Sequence, residues 1–319
     1  MACSGKMLEA ATPLEHVHHN TPYAGGVWSF AKYMNGDVTE AETVARQALA
    51  RGFQDPWTIH AIAHCLYSQG KPAECIQFLN EYRPIIQQSK PSAFMKGHME
   101  FHQALCFIDL ENVEDLHTLI HGPLWNDLTT SEREDYWNSS GLLGVQWKAE
   151  LRGLKNPWHR PSIQQAMDIL RSTNASATKS CVFSLCILRF TTGTFRKKWK
   201  EEILKNSDNG VLCDVARAVD LVYPSGERTT TNNADDMPLF SVESCSEAVE
   251  KYLAANVDKL DQLGASPEQR EVIEEFLVVV AKAAGNGQLP IETIDMTGWT
   301  RRNHRPNVQF YKSVLPDAK

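Results

Sequence analysis

Two pairs of histidines have the spacing of neighbours on one helix face. His60 and His64 lie four residues apart, and so do His98 and His102. This spacing puts both imidazoles of a pair on the same side of an α-helix, about one turn apart. Neutral imidazole is the commonest metal ligand in proteins, and two such pairs could hold a divalent transition metal such as Zn, Cu, Ni or Fe. The same side chains could instead serve as general acid and base near neutral pH.

A purely structural role is the alternative for these histidines. A buried imidazole on a helix can pack and form hydrogen bonds without binding a ligand. His117 and His121 are also four residues apart, but they lie at the end of a different helix-length segment. Glu100 does not complete a metalloprotease motif, because it follows His98 by two residues and points away from the histidine face. The sequence leaves the metal, acid–base and structural interpretations open.

The histidine pairs lie in a series of helix-length segments joined by short polar turns. The segment of the first pair opens with Asp55 and Pro56, a good N-cap followed by proline at the first helical position, and it ends near Gly70. His98 lies 38 residues beyond His60, so the two pairs occupy similar positions in consecutive helix pairs. In a helix-pair solenoid the first helices of neighbouring units line one concave surface. We therefore predict that the four imidazoles converge on one patch.

Small residues in the first helix pair follow the tetratricopeptide pattern. Gly36, Ala41 and Ala48 have the spacing of the turn glycine and the two packing alanines of such a repeat. Strand signals are nearly absent, and the second half of the chain also contains amphipathic helical segments. We predict an all-α protein built as a tetratricopeptide-like antiparallel helix-pair solenoid. An irregular helical bundle is the alternative.

The solenoid is predicted to be a single helical-repeat domain over residues 21–315. Residues 1–20, which include a histidine-rich tract at 16–19, are predicted to be a disordered N-terminal tail. A polar stretch at about 224–239 predicts a flexible loop, because structureless segments of that length are uncommon in compact domains. In the second half, Ser266 and Pro267 mark a strong helix start, and Gly285 marks its stop.

Four further residues are candidates for the wall of a pocket around the histidines. Tyr23 and Trp28 lie one helix pair upstream of the first histidines, although Tyr23 would share its helix face with Phe30 rather than with Trp28. Asn138 lies about one further repeat step along the chain. Arg270 heads the last apolar helix and could bind an anion, although an arginine in that position is more often solvated.

Composition excludes several classes of protein. The 319 residues carry a net charge of −7, so no overall basic field points to nucleic acid or to an acidic membrane. No apolar run approaches the roughly 20 residues of a membrane span, and no secretory signal precedes the first helix pair. The eight cysteines include no C-x-x-C pair, which indicates reduced thiols and a cytoplasmic protein. Phosphate-binding glycine motifs and the G-x-S-x-G motif are absent.

Three stretches of the sequence resemble the tetratricopeptide repeat protein 38 family. They are the segment GVWSFAKYMNGDVTEAETVARQAL at 26–49, the paired-histidine motifs DPWxxHxxxH at 55–64 and HxxxH at 98–102, and GASPEQR at 264–270. The resemblance covers about 21–315, and it implies an all-helical, tetratricopeptide-like solenoid with paired histidines but no particular reaction or cofactor. Longer members of that family have additional N-terminal helices. One end of the groove is therefore expected to be open, or to be capped by a partner or by a second copy in a homodimer.

The leading functional prediction is a small-molecule enzyme working at the histidine-lined concave pocket. His60, His64, His98 and His102 would act there as ligands of a divalent transition metal, or as acid–base groups in isomerase, cyclase or lyase chemistry. The alternative is a non-catalytic tetratricopeptide scaffold that binds a peptide or protein partner in its groove. Scaffolds that grip acidic peptide tails line the groove with Lys, Arg and Asn, whereas the predicted groove offers histidines and aromatic rings.

Overall fold

Every regular element is a helix in the computed structural model, which describes residues 2–17, 21–88, 93–122, 132–154, 160–172, 180–224 and 240–285. The prediction of an all-α protein is confirmed for these residues. Those up to Asn112 form one compact unit and those from Val113 form a second. Within the described ranges no helix combines the length and the apolar character that crossing a bilayer needs.

The described part of the first unit consists of helices joined by short turns. The α-helices are α1 (Ala2–Ala11), α2 (Ala24–Asn35), α3 (Val38–Ala50), α4 (Pro56–Ser68), α5 (Pro72–Gln88) and α6 (Ala93–Asp109), and a 3₁₀ helix (Thr12–His16) lies between α1 and α2. From α2 onward each helix packs on the next one along the chain. In addition, α2 packs on α4 and α4 packs on α6. The alternate helices α2, α4 and α6 therefore lie side by side.

Small residues allow the close packing of α2, α3 and α4. Gly36 ends α2 with φ 97°, a left-handed conformation that favours glycine. Ala41 and Ala48 of α3 are buried, which is the role that their spacing predicted. A Cβ atom on Gly26 would lie 2.5 Å from the backbone nitrogen of Thr58, because the backbones of α2 and α4 approach each other closely there. Glycine is therefore required at that contact.

The N-terminal segment forms structure where the sequence predicted a disordered tail. Helix α1 packs on α2, and Ala11 is buried in a small hydrophobic cluster with Trp28 and Val44. Leu8 and Leu14 are half-buried against the same cluster. The apolar positions of this short segment fall on one face, and the packing against α2 stabilises a helix that would be marginal alone.

The described part of the second unit begins at Val113 and is also helical. Its α-helices are α7 (Val113–Ile120), α8 (Glu132–Leu151), α9 (Arg160–Ser172), α10 (Cys181–Phe190), α11 (Gly193–Asn206), α12 (Gly210–Val222), α13 (Val242–Ala248) and α14 (Pro267–Ala283). A π-helical turn (Val249–Leu253) and a 3₁₀ helix (Ala254–Leu263) follow α13. Helix α14 begins directly after Ser266, as predicted, and the Ser266 backbone N–H donates to Gln269 Oε1 at 3.0 Å. The flexible loop predicted at about 224–239 lies, after its first residue, outside the described residues.

Buried ion pairs join α8 and α14 inside the second unit. The Lys148 Nζ atom lies 2.6 Å from Glu271 Oε2 and 3.7 Å from Glu275 Oε1, and all three side chains are at most 1% exposed. Arg152 Nη2 makes a contact of 2.6 Å with the same Glu275 oxygen. At the position directly before Glu275, burial raises the pKa of the Glu274 carboxyl to about 7. The charges of this network compensate one another away from water.

Candidate metal centre

A side-chain cap fixes the start of the helix that carries the first histidine pair. The carboxylate of Asp55 accepts hydrogen bonds from the backbone N–H groups of Trp57 and Thr58, both at 3.0 Å, and from the Thr58 hydroxyl at 2.6 Å. Pro56 occupies the first helical position, where its missing N–H costs nothing. The register of α4 is therefore set five residues before His60.

The helix that carries the second pair is anchored through Gln103. The amide nitrogen of Gln103 donates to Asn80 Oδ1 at 2.9 Å, and its oxygen accepts from Arg83 Nη2 at 2.6 Å. Both partners belong to α5, so these bonds hold α6 against the intervening helix. Glu100 makes an ion pair with the same Arg83 at 3.5 Å, on the side of α6 that the sequence predicted for it.

The four predicted histidines meet at one point. One ring nitrogen from each of the four lies within 4.8 Å of the corresponding nitrogen of every other, for His60, His64, His98 and His102. Across the two helices, the ring centroids of His60 and His98 are 4.9 Å apart, and those of His64 and His102 are 4.1 Å apart. The first histidine of one pair thus faces the first of the other. In this register α4 and α6 run in the same direction.

Hydrogen bonding inside the protein leaves part of this cluster unsatisfied. The Nε2 atoms of His60 and His64 lie 2.8 Å apart, so the N–H of one ring donates a hydrogen bond to the nitrogen of the other. Among the described residues, Nδ1 of His60 and both ring nitrogens of His102 are buried and have no hydrogen-bond partner. His102 is fully buried. Buried polar atoms normally have a partner, so these nitrogens indicate a ligand site.

Burial also sets the protonation state of the cluster. Desolvation lowers the pKa of His60 and of His102 well below the usual value for histidine, and the charges of the neighbouring imidazoles lower it further. Both side chains are therefore neutral at pH 7. Neutral imidazole is the form that coordinates a metal ion, whereas a general acid must carry the extra proton.

Aromatic rings surround the histidines. The Phe30 ring lies 5.1 Å from that of His60 and 5.0 Å from that of His64. Tyr33 of α2 and Phe101 of α6 pack on the cluster as well, with the Tyr33 ring 4.8 Å from that of His64. These rings give the site an apolar wall that excludes water from the imidazoles.

A hydroxyl pair holds one of these rings in place. The Ser68 hydroxyl at the end of α4 donates to the Tyr33 hydroxyl oxygen at 3.1 Å. Both side chains are fully buried, so this bond fixes the tyrosine ring between α2 and α4. The Tyr33 ring in turn packs on His64.

The site is closest to solvent beside the first histidine of each pair. His98 is half-buried, whereas His60, His64 and His102 are buried. The Trp57 side chain is 39% exposed, and its ring meets the His60 ring edge-on at 5.8 Å. The side of His98 and Trp57 is therefore the more exposed side of the cluster.

The four residues predicted to line the pocket have different surroundings. Tyr23 is exposed at the start of α2, with a positive φ of 65°. Trp28 is buried in the hydrophobic cluster between α1, α2 and α3. Asn138 is buried on α8, and Arg270 donates to the carbonyl oxygens of Gly264 and Ala265, where it stabilises the start of α14. Asn138 and Arg270 belong to the second unit, so their part in a pocket with the histidines stays a prediction.

The aromatic wall was largely missed by sequence reasoning, although helical spacing could have found it. Trp57 precedes His60 by three residues, and Phe101 follows His98 by three, so each shares a face with a predicted site histidine. Tyr33 follows Phe30 by the same interval on α2. Aromatic residues at helical spacing usually belong to the hydrophobic core. Here the same aromatic side chains also form the wall around the histidines.

The two H-x-x-x-H motifs carry much of the resemblance to the tetratricopeptide repeat protein 38 family, and their four histidines form the buried cluster. Membership of that family stays a proposal. Comparisons of the chain with protein-family models, with curated proteins and with solved protein structures found no match.

Proposed function

We propose that the first unit binds one transition-metal ion through His60, His64, His98 and His102. The observation that carries this proposal is the convergence of four imidazole nitrogens within 4.8 Å of one another in a buried site. Four imidazole nitrogens are a ligand set that Zn, Cu and Ni accept in proteins. The i, i+4 pairs supply the ligands from two helices that α5 and its hydrogen bonds hold in register.

The cost of the metal-free arrangement supports a metal over a structural cluster. A buried polar atom without a partner costs about 1–3 kcal/mol. Both nitrogens of His102 are in that position among the described residues, and so is Nδ1 of His60. A metal ion would remove part of this cost, because each ring would give it one lone pair and one of the two nitrogens of His102 would then have a partner. Histidines that serve only for packing would be expected to bond to backbone carbonyls instead.

We propose further that the metal centre works as a small-molecule enzyme. The exposed fraction of Trp57 and the half-buried position of His98 give a substrate a way to the ion. The aromatic wall keeps bulk water away, which strengthens electrostatic effects on a bound substrate. Metal-free acid–base catalysis is less well supported, because His60 and His102 stay neutral at pH 7 and neither offers the protonated acid.

The solenoid and the cellular location are further proposals. The side-by-side packing of α2, α4 and α6 supports a tetratricopeptide-like arrangement of helix pairs in the first unit. It also supports the alternative function of a scaffold that binds a peptide. The aromatic and imidazole surface around the cluster favours a small molecule over an acidic peptide. The seven cysteines whose side chains the structure describes are free thiols, which supports a location in the reducing cytoplasm.

The test of the metal centre is elemental analysis of protein purified without a His-tag. Wild type is compared with His98→Ala/His102→Ala, and with His117→Ala/His121→Ala as the matched control. The control pair has the same spacing, and its rings are 4.2 Å apart on another helix. We expect about one metal ion per chain in the wild type and in the control, and none in the first variant. Wild-type protein that stays metal-free after reconstitution with Zn, Cu, Ni and Fe(II) would overturn the proposal.

A further inference from the structure

The arrangement of the four imidazoles distinguishes between the metals that they could hold. The rings form a closed quadrilateral in the order His60, His64, His102 and His98. Its four sides, measured between ring centroids, are 4.3, 4.1, 4.7 and 4.9 Å. Its two diagonals are 5.3 Å for His60–His102 and 6.2 Å for His64–His98. A regular tetrahedron has six equal distances, whereas a square has diagonals longer than its sides, so the cluster is flattened towards a square.

Nitrogen separations agree with this flattening. Nitrogens bound at about 2.0 Å lie about 2.8 Å apart when they are neighbours in a square plane, and about 3.3 Å apart in a tetrahedron. The Nε2 atoms of His60 and His64 are 2.8 Å apart. Opposite ligands in a square plane lie about 4 Å apart, and all four ligand nitrogens lie within 4.8 Å of one another. The separation of His60 and His64 therefore matches neighbouring ligands in a square plane more closely than ligands in a tetrahedron.

The chemistry of the ligands further restricts which metal ion fits the site. Within the described residues the ligand set contains four imidazoles and neither a carboxylate nor a thiolate. Structural zinc is held almost always in a tetrahedron, and thiolates are common among its ligands. Tetragonal nitrogen ligation is typical of Cu(II) and Ni(II), and Cu(II) is the more tightly bound of the two in the general affinity order.

We propose, building on the metal centre proposed above, that its ion is copper(II), bound by the four imidazoles in a flattened, tetragonal arrangement. Coordination positions outside the plane of the four nitrogens stay available for a small ligand, which a closed tetrahedral zinc site would not offer. Copper(II) in this shell is also a one-electron acceptor, which zinc is not.

The experiment uses the full chain, stripped of metal with a chelator and reconstituted with one equivalent of copper(II) sulfate. Electron paramagnetic resonance reports the coordination geometry directly, without any assay of activity. We expect one copper per chain and an axial spectrum with a large copper hyperfine splitting and superhyperfine structure from in-plane nitrogens. This spectrum should persist in His117→Ala/His121→Ala and be lost in His98→Ala/His102→Ala.

Variants are checked for folding by circular dichroism. The half-buried His98 gives a second variant, His98→Gln, that leaves the buried part of the cluster intact. It should change the nitrogen superhyperfine pattern while the helical signal stays at the wild-type level.

Two results would overturn the copper proposal in distinguishable ways. One is a copper spectrum with the small hyperfine splitting of a tetrahedrally distorted site, together with wild-type protein that holds zinc when it is produced with both metals supplied. That result would leave the metal centre standing and remove only its assignment to copper. The other is failure to retain zinc or copper, in which case the metal centre and its copper assignment both fall.

Discussion

The Nε2 atoms of His60 and His64 are 2.8 Å apart in a site from which water is excluded. At that distance the two rings cannot both be protonated on the facing nitrogens, because two N–H groups would then point at each other. One ring donates, and the other accepts with the lone pair that a metal ion would use.

The affinity of the cluster for copper(II) is expected to change little between pH 8 and pH 6. His60 and His102 have pKa values well below the ordinary value of about 6.5, so protons compete with the metal only at lower pH. The measurement is a calorimetric titration at pH 8, 7 and 6, corrected for buffer. A tenfold loss of affinity per pH unit beginning at pH 7 would show that the cluster titrates like exposed histidines.

Replacement of His102 by leucine is expected to abolish metal binding without unfolding the metal-free protein. The side chain is fully buried, and both its nitrogens lack partners among the described residues. An apolar group of similar size in that place should change the free energy of unfolding by less than about 1.5 kcal/mol, or increase it. Urea unfolding in the presence of chelator measures this difference.

The same variant separates a metal ligand from a structural histidine. With free metal at 100 times Kd, the wild type should gain about 2.7 kcal/mol of stability, and His102→Leu should gain none. Destabilisation of the metal-free variant by several kcal/mol would instead assign His102 to the packing of the core.

Gly26→Ala is expected to destabilise the first unit by about 1–3 kcal/mol, because the added Cβ would overlap the start of α4. The displaced atom is the backbone nitrogen of Thr58, two residues before His60, so metal affinity should fall as well. Gly210→Ala is the matched control, since a Cβ there meets no atom within 4 Å. Equal thermal stability of the two variants would show that α2 and α4 can separate without cost.

Lys148→Met is expected to lower the free energy of unfolding of the second unit by about 3–5 kcal/mol. The substitution leaves the carboxylates of Glu271 and Glu275 buried without their shared cation. Adding Glu271→Gln should recover part of that loss by removing one of the uncompensated charges. Chemical denaturation of the single and double variants gives the coupling between the two positions. A double variant whose loss equals the sum of the single losses would mean that the two groups do not interact.

The stability of the second unit is expected to fall as pH rises from about 4.5 to 7, through the titration of Glu274. Its carboxyl has a pKa of about 7 in the folded protein, against 4.5 for an unperturbed glutamic acid. The folded state therefore holds a proton that the unfolded state releases, and this group costs up to about 3 kcal/mol above pH 7. Glu274→Gln should remove this pH-dependent contribution. The difference in the free energy of unfolding between pH 5 and pH 8 should therefore be smaller in the variant than in the wild type.

The histidine cluster is the part of the molecule that sequence predicted best. Helical periodicity fixes which side chains share a face, and the 38-residue interval between His60 and His98 fixes which helices can bring them together. The aromatic rings around the histidines and the tyrosine–serine hydrogen bond depend on the packing of α2 against α4. Residue spacing within one helix does not predict that packing.

Other features could not be predicted because they arise from tertiary contacts. Helix α1 is too short to be stable alone, and its packing against Trp28 and Val44 supplies the missing stabilisation. The division at Asn112 has no glycine- or proline-rich linker to mark it in the sequence. Arg270 was a candidate for anion binding, and its Nη1 atom donates to two carbonyls that precede α14, a contact that the sequence did not indicate.

The facing of His60 with His98 and of His64 with His102 has a consequence for how the two helices can slide. A shift of one helical turn, about 5.4 Å, would set His64 against His98 and leave His60 and His102 with no opposite ring. An ion bound to all four histidines would therefore allow only one alignment of α4 relative to α6. Each helix supplies only two of the four ligands. A bound ion would therefore show that α4 and α6 are packed in the correct alignment.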